Sequence, residues 1–201
     1  MSNRKLTLAD IDTLAHYRQQ RPAIRRTIIE HKRHRRVALG PNVTLHFEDR
    51  ATMKYQVLEM MRAENLCSDE AIRQELAAYN PLIPDGHNLK CTLMIEFSDA
   101  IRRNTALHEL VGLEHQVYMQ IKGCPPVPAI ADEDLPRSTA DKTSAVHFLR
   151  FEFTAEMLAA VRKGTRWSVY SEHPAYQHHV DPLPDAVAIA LSHDFEPGKV
   201  D

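Results

Sequence analysis

The chain has 201 residues, 43% hydrophobic and 26% charged, with a net charge of −2. That length fits one domain with an ordinary core, and the near-neutral charge excludes a global pull toward nucleic acid. No apolar run approaches the roughly 20 residues of a membrane span, no apolar secretory segment opens the chain, and three cysteines without a C-x-x-C spacing exclude a disulfide framework or a cysteine-ligated zinc site.

A cytoplasmic protein with free thiols is therefore the expectation. Thr7 and Asp10 read as the capping pair of a first helix, about Leu8–Tyr17, with Leu8, Ile11, Leu14 and Ala15 on one face. Pro22 fits the first turn of a second helix running to about Arg36. Val43–Glu48 alternates as a first strand. Helices follow at about Ala51–Glu64 and Asp69–Tyr79, the first with Met53, Val57 and Met61 as core filling. Cys91–Phe97 is strand two, Asp99–Leu110 a short helix, and Leu113–Ile121 strand three. Gly123–Asp141 is a proline-rich connection long enough to be a functional or mobile loop. Ala145–Phe153 is strand four, Thr154 caps a helix ending at Gly164, and Arg166–Ser171 is strand five. Tyr176–Val180 reads as a short sixth strand and Asp185–Ser192 as the last helix. Alternating strands with helices between them predict a single α+β domain: a largely antiparallel sheet of five or six strands packed by helices, continuous with a helical N-terminal portion.

Four segments carry a family likeness: Arg35 to Pro41 (RRVALGP), Ala78 to Pro84 (AYNPLIP), Thr143 to Phe151 (TSAVHFLRF) and His173 to Tyr176 (HPAY). In that order they resemble an uncharacterised bacterial family catalogued as domain of unknown function 3501, and the likeness covers about Arg4 to Leu191. The resemblance implies a bacterial source. It also implies genes placed beside those of a rubrerythrin-like di-iron protein and an iron–sulfur oxidoreductase, hence a setting near redox or iron chemistry. It supplies no catalytic residue.

The residues supply their own candidates. Phosphate-loop, dinucleotide, nucleophile-elbow and H-E-x-x-H signatures are missing. His108-Glu109 and Glu114-His115 do not form the paired Glu-x-x-His motif of a di-iron bundle. Of the 12 histidines, strand parity turns His115, His147 and His173 toward the apolar face. A buried imidazole must be paired; if the three strands are neighbours, these rings could form a zinc or iron site. On the opposite parity, Arg150 with Glu152, Glu96 and Glu114 forms a charge ladder or, if enclosed, an anion site. Arg18 to Arg36 holds eight basic residues against one acid, Glu30. Its Arg25, Arg26, Lys32, Arg33, Arg35 and Arg36 are candidates for docking an acidic redox partner. The stretch has no aromatic residue to stack bases, which disfavours nucleic acid. Three functions follow in order of preference: a non-catalytic accessory protein docking a redox partner, a histidine-ligated metal protein or metal-dependent enzyme, and a nucleic-acid-binding module.

Overall fold

The computed structural model describes residues 5–195. It is an α+β fold with six α-helices, and its strands divide over two antiparallel sheets instead of one. The first sheet has the order β1 (Arg36–Leu39), β2 (Val43–Phe47), β3 (Asn88–Ile95), β7 (Val146–Glu152), β6 (Ile130–Ala131); the second runs β5 (Val127–Pro128), β4 (Val117–Ile121), β8 (Trp167–His173), β9 (Tyr176–Val180). The buried side chains of both sheets belong to one hydrophobic cluster, completed by α4 (Ala100–Glu109), α5 (Ala155–Arg162) and α6 (Asp185–Ser192). None of the described helices is long and apolar enough to cross a membrane.

The proline-rich connection joins the two sheets. Val127 pairs with Met119 of β4, and Ile130, three residues on, pairs with Arg150 of β7. Elsewhere Tyr176 ties the sheets: its hydroxyl donates to the Leu39 carbonyl at 2.8 Å and accepts from the Asn42 amide at 2.9 Å. Gly40, at φ +75°, closes the β1–β2 hairpin against the His178 ring, where a Cβ would fall 2.5 Å from ring carbons.

A second cluster packs α1 (Leu14–Arg33), α2 (Arg50–Glu64) and α3 (Asp69–Tyr79), with Tyr17, Met53, Val57, Leu58 and Met61 at its centre. The methionine stripe is core, as its spacing predicts. Three expectations give way here. Thr7 and Asp10 do form a capping box, but on a 3-10 turn, Leu8–Asp10, that ends before α1. The two expected N-terminal helices are one, with Pro22 inside it. A proline costs a helix one hydrogen bond and a clash, but the turn before this one is anchored: Glu59 of α2 accepts from the Tyr17 hydroxyl and, at 2.7 and 2.9 Å, from Arg21. Finally, the helix stops at Arg33, so Arg36 opens β1 and is not a helical residue.

Candidate functional site

Where strand three was expected from Leu113, the chain makes a 3-10 turn, Leu113–His115, and β4 begins only at Val117. Parity therefore fails at this turn. Leu113 is fully buried and its neighbour Glu114 turns inward, 2% exposed, while the His115 side chain is 63% exposed. His147 is where parity puts it, fully buried between sheet neighbours on β7, and His173 is buried at the end of β8.

These two histidines have different surroundings. His173 Nε2 faces the Val111 carbonyl at 3.1 Å, and Nδ1 accepts from the Ala175 amide at 3.2 Å. Both ring nitrogens are thus satisfied by backbone, Nε2 donating to the carbonyl and Nδ1 accepting from the amide. His147 Nδ1 lies 2.6 Å from Asp132 Oδ2, and Nε2 lies 2.8 Å from Thr143 Oγ1 and 3.1 Å from the Ser144 carbonyl. The structure brings His147 together with Glu114 and Asp132, each offering a ligating atom within 4.8 Å of the others; neither His115 nor His173 joins this group.

The local sequence explains the convergence. After β6 the chain turns at Asp132, whose φ of +50° is in the left-handed region. Aspartate tolerates that conformation because its short carboxylate can bond nearby backbone, and here Oδ1 accepts from the Phe148 amide at 3.0 Å. Asp132 thereby faces His147 on the adjacent strand. The strap that follows returns Ser138 and Thr143 to the same place. Ser138 donates to Glu114 Oε1 at 2.6 Å and lies 2.9 Å from Thr143 Oγ1. Arg137 closes the strap, bonding Asp134 at 2.5 and 2.6 Å and Asp132 at 3.3 Å, with its guanidinium 4.5 Å from the centre of the Phe148 ring.

Glu114 Oε2 is buried and has no hydrogen-bond partner among the described residues. Leaving a buried acceptor unpaired costs roughly 1–3 kcal/mol, and more when it is charged. The chain Asp132–His147–Thr143 has the order of an orienting acid, a base and a hydroxyl nucleophile. Thr143 is only 3% exposed, however, so its hydroxyl is closed to a substrate.

The basic candidates separate. Arg25 and Arg26 are exposed on α1; Lys32 lies over the Tyr55 ring at 5.9 Å, and Arg33 pairs with Glu30 at 3.0 Å. Arg36 reaches Glu96 at 3.7 Å. Arg35 is taken out of the docking set by burial: it donates to the carbonyls of Phe47, Glu48 and Ala190 and to Asp194 at 2.5 Å, binding the β2 end to α6. Arg150 is held by Glu133 and Glu152. Of the expected ladder, Arg150 with Glu152 is present, while Glu114 lies inside the molecule.

Sequence reasoning placed Glu114 on an outward charge ladder and did not single out Asp132, so neither was grouped with His147. Glu114 carried a weak signal in its neighbour His115; Asp132, inside the proline-rich connection, carried none.

No curated protein matches the chain. A crystal structure of a novel protein of unknown function from Burkholderia pseudomallei K96243 is 42% identical, with a TM-score of 0.90, over 98% of this chain and 100% of that one. The model of the family described as protein of unknown function, DUF3501, matches residues 5–195. The chain belongs to that family.

Proposed function

We propose that this is a metal-binding protein whose centre is Glu114, Asp132 and His147, taking a divalent first-row ion such as zinc or iron(II). The observation that carries the reading is the buried Glu114 Oε2, without a partner among the described residues and beside a second carboxylate and an imidazole. A divalent cation between these groups turns a desolvation penalty into an ion–ligand bond. Mixed carboxylate and imidazole donors suit zinc and iron. Three protein ligands leave a coordination position for water or a further ligand. Ligation requires one nitrogen of His147 to exchange its present hydrogen bond for the ion, and the other partner then fixes the ring.

The test is a titration of untagged, chelator-stripped protein with zinc and, anaerobically, with iron(II). Wild type takes up one equivalent, and Glu114→Gln and His147→Gln lose it. Folded wild type that takes up neither ion contradicts the proposal.

Docking to an acidic partner, a redox protein included, is a second reading. It is favoured by Arg25 and Arg26, which are adjacent and exposed on α1. Salt-sensitive binding that survives Arg25→Glu with Arg26→Glu would contradict it.

A further inference from the structure

The outer face of the five-stranded sheet carries a cavity of about 690 Å³, bounded by the end of α3, β3, β7 and the start of the strap. That volume is in the range of small-molecule sites. Ala77, Ala78, Leu82 and Phe148 give it apolar walls.

Arg150 is its anion anchor. Its Nε and one terminal nitrogen each donate to Glu133, both at 2.8 Å, while the other terminal nitrogen holds Glu152. This two-pronged geometry is the one by which a guanidinium receives a free carboxylate. Glu133 does not belong to the sheet. It follows Asp132 on the strap, its side chain is 52% exposed, and an exposed pair of this kind is held weakly. Lys90 offers no comparable anchor, because its ammonium is spent on the carbonyls of Pro81 and Ile83 and on Asp85.

We propose that this groove binds a small monocarboxylic acid with an apolar body, whose carboxylate replaces Glu133 on Arg150. Charge sets the class. The lining holds four acids, Asp85, Glu133, Asp134 and Glu152, against two permanent bases, Lys90 and Arg150. A surplus of acid repels phosphates and other multiply charged anions, while one bidentate arginine suits one carboxylate. Phe148 and Arg150 point to the face of β7 opposite His147, so the acid and the ion would sit on opposite faces of that strand, linked through the strap on which Glu133 follows Asp132.

The test uses 3-phenylpropionate as probe and its neutral amide as control, with binding followed by calorimetry on protein with and without added zinc. Glu133→Gln removes the internal competitor and leaves the sheet untouched. It is expected to bind the acid about tenfold more tightly than wild type, since less of Arg150 is already occupied. Arg150→Met, verified as folded, is expected to lose the acid, and the amide to bind no variant. Glu133→Gln binding no more tightly than wild type, or acid and amide binding alike, overturns the proposal. Acid binding in zinc-free protein supports the groove even if the metal reading fails.

Discussion

The inner faces of the two sheets each carry a buried histidine, and the two regions treat it differently. Around His173, a backbone carbonyl and a backbone amide satisfy both ring nitrogens, and the side chain is a fastener between the Val111 turn and the β8–β9 hairpin. Around His147, the partners are the Asp132 and Thr143 side chains and the Ser144 carbonyl, and an oxygen of the nearby Glu114 carboxylate has no partner among the described residues. Inward placement alone therefore does not separate the two histidines; on the proposed reading, the satisfaction of the groups around each one does. Arg35 and Glu59 belong with His173 in this division, because each is a charge surrounded by complete partners.

The largest expected effect lies on the satisfied side. Arg35→Ala removes the buried guanidinium that joins the Phe47, Glu48 and Ala190 carbonyls to Asp194, and should cost about 3–5 kcal/mol in a denaturant titration. Arg25→Ala on exposed α1 should stay within about 0.5 kcal/mol of wild type. An equal loss from both would break the division.

Metal affinity probes the other side. Replacing His147 by alanine should weaken zinc binding by more than about 100-fold, beyond the loss typical of an outer-shell residue. His173→Ala should leave the affinity within about threefold while lowering stability by roughly 1–3 kcal/mol through its unpaired backbone partners. A competitive chelator dye and a melting curve read the two quantities on the same samples.

Glu114→Gln reverses the usual sign. In metal-free protein it replaces a buried carboxylate whose Oε2 has no partner among the described residues, so it should match or exceed wild-type stability by about 1 kcal/mol while binding less metal. A clear destabilisation in stripped protein would place Glu114 among the fasteners.

The smallest effect is in acid. The Arg21 hydrogen bond, with the Tyr17 hydroxyl and Arg62, holds the Glu59 carboxyl down to about 2 from its ordinary 4.5. A depressed carboxyl stabilises the fold fully above the unfolded value and loses that contribution as pH falls toward the folded one. Between about pH 4.5 and 2, wild-type stability should thus fall more steeply than that of Glu59→Gln. Parallel profiles would show that the α1–α2 contact does not depend on this charge.

Much of this architecture is legible in the sequence. The sequence reading matches α3 and α6 to the residue and β2, β7, β8 and β9 within a residue or two. What failed was context. Pro22 reads as a helix start until Glu59 is seen to hold the turn before it through Tyr17 and Arg21. Leu113–Ile121 alternates from its first residue, yet a 3-10 turn occupies its beginning and exchanges the roles of Glu114 and His115. β5 and β6 are two residues each, too short to carry a period, and they are what brings Asp132 to His147. Thus His147 was readable from its own strand, whereas its partners depend on long-range pairing.

A crystal structure of the protein grown with zinc, with anomalous data at the zinc edge, tests the central claim most directly. The account predicts one strong internal peak bounded by Glu114, Asp132 and His147, with the His147 nitrogen at about 2.0–2.1 Å from the ion. An internal peak at His173, or zinc confined to surface histidines with Glu114 still unpartnered, would contradict it.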